Sequence, residues 1–178
     1  MRKNVFLLMI LFTVQFAQAQ EMELNNIYFG YSFGSSFSKY NNDMGGNTFT
    51  VLGPIHIGLG FGLFRQERWS GAIDISYAKA SYDGNVVGFY EMSEYDLFTK
   101  LNYHWYMSEK IDGYSGAGVG GYLFRYYDNF SSKNENKVGF QLNVLGCRFL
   151  INNTFGLYSE VGFGRQGNFT IGMFLNSR

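Results

Sequence analysis

Cysteine and proline each occur once in this 178-residue sequence, as Cys147 and Pro54. One cysteine excludes an internal disulfide, and Cys147 reads as a small packed residue on a strand. Neither sign of charge is in excess, since 14 basic groups face 14 acidic ones. Nucleic-acid binding usually needs a basic face, so that partner class is excluded. Long hydrophobic runs are missing too. The longest, Val5 to Phe16, is broken only by Thr13 and Gln15 and is too short to cross a bilayer as a helix. No segment reads as a long amphipathic helix. Two histidines and a lone cysteine make a poor metal set, and no cofactor is implied.

That short apolar run has a different use. Arg2 and Lys3 precede it and Ala17-Gln18-Ala19 follows it, the order of a secretory signal with cleavage before Gln20. Residues 1–19 are therefore a removable leader, and residues 20–178 form one domain. Loss of Arg2 and Lys3 leaves 12 basic groups against 14 acidic, a net charge of −2.

What the chain has in quantity is aromatic residues, 20% of the total, and 23 glycines, a mixture suited to β-structure. Large apolar residues alternate with small or polar ones about eight times. From Phe49 to Leu63 the first set is Phe49, Val51, Ile55, Ile57, Leu59, Phe61 and Leu63, and the second holds Thr50, His56 and three glycines. Successive side chains of an extended chain point to opposite faces, so one face is uniformly greasy. The small opposite face cannot build a core to match it. Lipid is the simplest solvent for the greasy side.

The pattern predicts strands over about 26–38, 48–64, 69–81, 92–106, 114–126, 137–150, 154–163 and 168–176. Even-numbered connections are short turns. Odd-numbered ones are read as long polar loops at 39–47, 80–90 and 128–136, apart from the brief Gly164 to Gln166. This asymmetry, an even strand count and strands of bilayer-crossing length are those of an eight-stranded antiparallel up-and-down transmembrane β-barrel, an all-β fold. Closure leaves no unpaired edge in a solvent that cannot hydrogen-bond one. Trp69, Tyr103, Trp105 and Tyr114 cluster beside the short turns, as an aromatic girdle would.

By parity, His56, Asp74, Asp96, Lys100, His104 and Glu160 point inward, and glycines at 30, 34, 58, 60 and 62 leave room for Tyr28, Phe98 and Tyr158. An eight-stranded barrel is just wide enough for side chains to fill. Buried charges must pair or reach water, so an internal polar network is expected, with Lys100 and Asp74 as its foremost pair. Strand five is ambiguous: Gly116, Gly118 and Gly120 share parity with Tyr122, Phe124 and Tyr126. A bulge at Gly120-Gly121 that swaps the faces is one reading, and it leaves Arg125 without an assigned side. The same segment matches GxGxxG formally, but it lies within a strand with no helix after it, so it is not a nucleotide site.

Residues 156–164, Gly-Leu-Tyr-Ser-Glu-Val-Gly-Phe-Gly, followed by Phe169-Thr170-Ile171-Gly172, resemble the last hairpin of small outer-membrane β-barrels of the OmpA/OmpX/OmpW type, particularly the version common in Bacteroidota. The resemblance covers nearly all of the mature chain. It implies outer-membrane lipids as the surroundings, the β-barrel assembly machinery as a partner in insertion, and loops 39–47, 80–90 and 128–136 as contact surfaces for an extracellular partner. Such barrels usually end on an aromatic residue that the machinery reads. This chain departs from that pattern with Phe174-Leu175-Asn176-Ser177-Arg178, so either Phe174 serves that role in a non-standard position or recognition works differently here.

The foremost reading is a non-enzymatic structural or surface-interaction protein of the outer membrane. Two alternatives stand beside it. One is a soluble exported barrel of the lipocalin type, which needs its bulky residues turned inward. The other is a barrel enzyme acting on membrane lipid through His56 or His104, although neither sits in the His-x-Ser arrangement of the deacylases on this fold.

Overall fold

The computed structural model describes residues 24–34, 49–63, 68–84, 88–127 and 132–177. The leader at 1–19 and the loop at 39–47 lie outside these residues. Eight strands follow in chain order: β1 (Leu24–Phe33), β2 (Phe49–Leu63), β3 (Trp69–Gly84), β4 (Gly88–Met107), β5 (Ile111–Tyr127), β6 (Ser132–Leu150), β7 (Phe155–Gly164) and β8 (Phe169–Asn176). Each pairs antiparallel with the next, and β8 returns to β1 from Asn26↔Asn176 to Phe33↔Phe169. The result is a closed up-and-down barrel.

Its greasy face is outside. Ile57, Leu59, Ile73, Ile75, Leu97 and Leu101 are each at least 38% exposed, while Tyr28, Phe98, Tyr158 and Phe174 are buried inside. The interior fills because bulky side chains lie over glycines of neighbouring strands. Tyr28 covers Gly58, Phe98 covers Gly120, Tyr114 covers Gly146, and Phe174 covers Gly156. A Cβ at Gly120 would stand 2.7 Å from the Phe98 Cα, closer than real contacts allow.

The structure changes several expectations. Two of the long loops are mostly strand. β3 and β4 stay paired to Gly84↔Gly88, and β5 and β6 to Tyr127↔Ser132, so 80–84, 88–90 and 132–136 belong to hairpins. By contrast β6 and β7 part company at Gln141↔Gly164. The wall is therefore tall from β3 to β6 and low at β7, β8 and β1. Alternating patterns interrupted by polar side chains read as loop in the sequence, yet backbone pairing does not depend on side-chain polarity.

Bulges account for other differences. In β2 the register shifts between Leu52 and Ile55, where Gly53 takes φ +94°, and Leu52 becomes exposed at 45%. β5 has no break at Gly120-Gly121, which pair regularly with Phe98 and Leu97. The faces do not swap. Phe124 and Tyr126 stay on the inner side and pack against Ala78, Ala80 and Met92, and Arg125 takes the outer parity. Cys147 is exposed and not packed, because it falls on the outer parity of β6. Phe174 turns into the lumen at 3% exposure, between outward Met173 and Leu175.

Candidate functional site

The lumen carries the chemistry-bearing residues. Asp74, midway along β3, is fully buried. Lys100 Nζ donates to its Oδ2 at 3.3 Å, because Lys100 on β4 pairs with Ala72 of β3 and leans toward Asp74, the next inward residue of that strand. His56 Nδ1 lies 3.2 Å from Asp74 Oδ1, and Gln166 Nε2 donates to the same oxygen at 2.7 Å. Lys100 also reaches Glu160 Oε2 at 3.9 Å, and Glu160 accepts from the Tyr114 hydroxyl at 2.7 Å. A connected line of charge thus crosses from β2 to β7. Asp96 stands apart from it, accepting from Ser76 Oγ at 2.8 Å.

His104 has its own set toward the short-turn end. Its Nδ1 is 2.7 Å from Asp112 Oδ1 and its Nε2 is 2.8 Å from Ser70 Oγ. His56 repeats the arrangement, with Ser32 Oγ 2.6 Å from Nε2 and Asp74 on Nδ1. Both are Ser-His-Asp chains assembled across strands. In the neutral ring the acidic partner accepts from Nδ1–H, which leaves Nε2 to accept the serine proton. Ser32 also meets Thr170 Oγ1 at 2.6 Å.

A nucleophilic serine must reach its substrate as well as its base. Ser32 is 1% exposed and Ser70 8%. A cavity of about 10 Å³ opens among Tyr28, Lys100, Tyr114, Arg148, Tyr158 and Glu160, room for one water, and neither serine lines it. Each chain satisfies buried polar atoms by hydrogen bonding across strands.

The far end of the lumen is covered by the β7–β8 connection. Arg165 forms a two-pronged ion pair with Glu94 of β4 and stacks over the Tyr122 ring at 4.0 Å. Gln166, 2% exposed, points down to Asp74, and its Oε1 is buried without a hydrogen-bond partner among the described residues. Gln141 clamps the turn, accepting from Gln166 N at 3.0 Å and donating to the Gly167 carbonyl at 3.0 Å. On the β5–β6 hairpin, half-buried Glu135 sits between Lys133 and Lys137, whose hydrogen bonds hold its carboxyl down to about 2.

On the outside, Trp69 and Tyr103 pair across β3 and β4 with ring centroids 5.0 Å apart. Eight residues further along the same strands, Tyr77 and Tyr95 pair with the same 5.0 Å separation. At a strand rise of about 3.3 Å and a tilt of about 40°, the two rows stand roughly 20 Å apart along the barrel axis, close to the height of an apolar band between aromatic girdles. Trp105 is outward too, at 49% exposure. Tyr114 is not. It is 1% exposed and lies inside, because its cross-strand partner is inward-facing His104 and Trp105 is the residue bulged out between His104 and Tyr106.

No protein-family model and no curated protein matches the sequence. Solved structures do. OprG of Pseudomonas aeruginosa, an outer membrane protein, is similar with a TM-score of 0.50 and 12% identity, over 86% of this chain and 96% of that one. Ail, the attachment invasion locus protein of Yersinia pestis, gives 0.48 and 13% over 87% and 96%. Neisserial surface protein A gives 0.47 and 12% over 85% and 90%. The fold is that of a small outer-membrane barrel. The signals that would have revealed the Ser-His-Asp chains of the lumen are register relations that no linear motif contains.

Proposed function

We propose that this protein is a non-enzymatic, integral outer-membrane β-barrel with a structural or surface-interaction role and a closed interior. One observation carries the reading: a closed barrel turns its large apolar side chains outward between two aromatic rows spaced for a bilayer. A soluble lipocalin-type barrel needs the opposite arrangement, with bulky residues around an internal cavity. In this reading residues 1–19 direct export, the β-barrel assembly machinery inserts the chain, and outer-membrane lipids surround it. The hairpin resemblance at residues 156–172 favours the version common in Bacteroidota. Contact with an extracellular partner falls to the loop at 39–47 and to the tall hairpin ends within 80–90 and 128–136.

The test is fractionation combined with electrophoresis of boiled and unboiled samples. A closed barrel resists SDS until heated, so the expected result is outer-membrane fractionation with a heat-dependent mobility shift. Detergent-free periplasmic protein without a shift would reject the reading. In planar bilayers the closed interior predicts no large, stable conductance steps.

A further inference from the structure

The lumen holds a lysine, an aspartate and a glutamate in one enclosed contact. Lys100 Nζ is 3.3 Å from Asp74 Oδ2 and 3.9 Å from Glu160 Oε2, with the three side chains 7%, 1% and 11% exposed. The two oxygens of Asp74 are not equivalent. Oδ1 accepts from Gln166 Nε2 at 2.7 Å and lies 3.2 Å from His56 Nδ1, whereas Oδ2 faces the ammonium group. Beside the trio is the small cavity lined by Lys100, Glu160, Tyr28, Tyr158 and Phe174, with room for one water.

An ion pair needs none of this asymmetry, but the condensation of an amine with a carboxyl group does. It needs the two held in contact, a carrier for protons, donors on the oxygen that becomes negative, and space for the water that leaves. We infer that Lys100 and Asp74 close an isopeptide bond within the folded barrel, with Glu160 as the proton carrier. Glu160 Oε2 takes one proton from the Lys100 ammonium group, and the free amine attacks Asp74 Cγ. Negative charge collects on Oδ1, where Gln166 and His56 donate. The Nζ–Cγ bond forms, and the Cγ–Oδ2 bond breaks as Oδ2 receives a second amine proton and the one carried by Glu160. Oδ2 leaves as water into the cavity, Glu160 is again a carboxylate, and nothing is oxidised or reduced. Until the bond closes, the two groups remain an ion pair. The step occurs once per chain and turns over no substrate, so it leaves the non-enzymatic reading as it is.

The test is the intact mass of the folded full chain during prolonged incubation in detergent, with folding followed by resistance to SDS. The wild type should lose the mass of one water. Trypsin should then release Trp69–Lys79 joined to Ala80–Lys110, because a linked Lys100 is no longer a cleavage site. Lys100→Arg keeps the charge and should keep its full mass. Glu160→Gln should slow the loss about a hundredfold, the scale of one positioned acid-base group. Full mass in SDS-resistant wild type overturns the bond while leaving the barrel reading intact. Equal loss by Lys100→Arg, or by wild type held unfolded in urea, overturns its assignment to this pair in the folded lumen. Loss by Glu160→Gln at the wild-type rate overturns the role of Glu160. A wild type that never resists SDS overturns the closed barrel, and this proposal with it.

Discussion

Gln166 donates to Asp74 at 2.7 Å, although 92 residues separate them and they belong to opposite sides of the barrel. The contact ties the β7–β8 turn to the middle of β3. The connection between Gly164 and Phe169 folds inward over the lumen. With Arg165 on Glu94, it lies across the lumen above the line of Asp74, Lys100 and Glu160.

Asp74 should be the most costly interior residue to remove. Asp74→Ala leaves Lys100 and His56 without their shared acceptor, and breaking such a buried pair costs about 3–5 kcal/mol. The expected outcome is a lower midpoint of urea unfolding in lipid vesicles. Adding Lys100→Met and Glu160→Gln to Asp74→Ala should recover part of the loss, because the line then carries no unpaired charge. A change below about 1 kcal/mol for the single variant would mean that the lumen is well hydrated.

Depth along the outer wall gives a second prediction. Ile73 lies midway between the aromatic rows and Lys79 just beyond them. Ile73→Arg should cost about 2–4 kcal/mol in vesicles, whereas Lys79→Arg should cost close to nothing. The measurement is again unfolding in lipid. A soluble barrel would tolerate Ile73→Arg, since it would replace an exposed apolar side chain with a charged one.

The Ser-His-Asp chains invite a direct chemical check. Folded, unboiled protein treated with a fluorophosphonate probe should remain unlabelled at both Ser32 and Ser70, because both are enclosed. Labelling of Ser70 that disappears in His104→Ala would establish an activated nucleophile and replace the non-enzymatic reading. The same treatment of boiled protein controls for simple burial.

Much of the fold is legible in the sequence because strand parity is local. Alternation alone separates Ile73, Ile75 and Leu97 from Asp74, Ser76 and Phe98, and the structure puts these two sets on opposite faces. Parity is also why His56, Asp74, Asp96, Lys100, His104 and Glu160 all occur in the lumen. It fails where one residue is added or skipped. The bulge at Trp105 and the positive φ of Gly53 re-aim their neighbours, and neither has a signal in a two-residue period. Nearness to a turn groups Tyr114 with the girdle, but nearness says nothing about which face a residue takes.

By itself, then, the sequence determined the strand count, the greasy face and the charges turned away from it, since each follows from covalent geometry over a few residues. The tertiary structure decided the rest. Which serine meets which histidine, which turn enters the lumen, how far each hairpin rises and where Arg125 points depend on the register of strands and on closure of the barrel. Those relations join residues distant in the chain, and only the hydrogen-bonded ladder as a whole sets them.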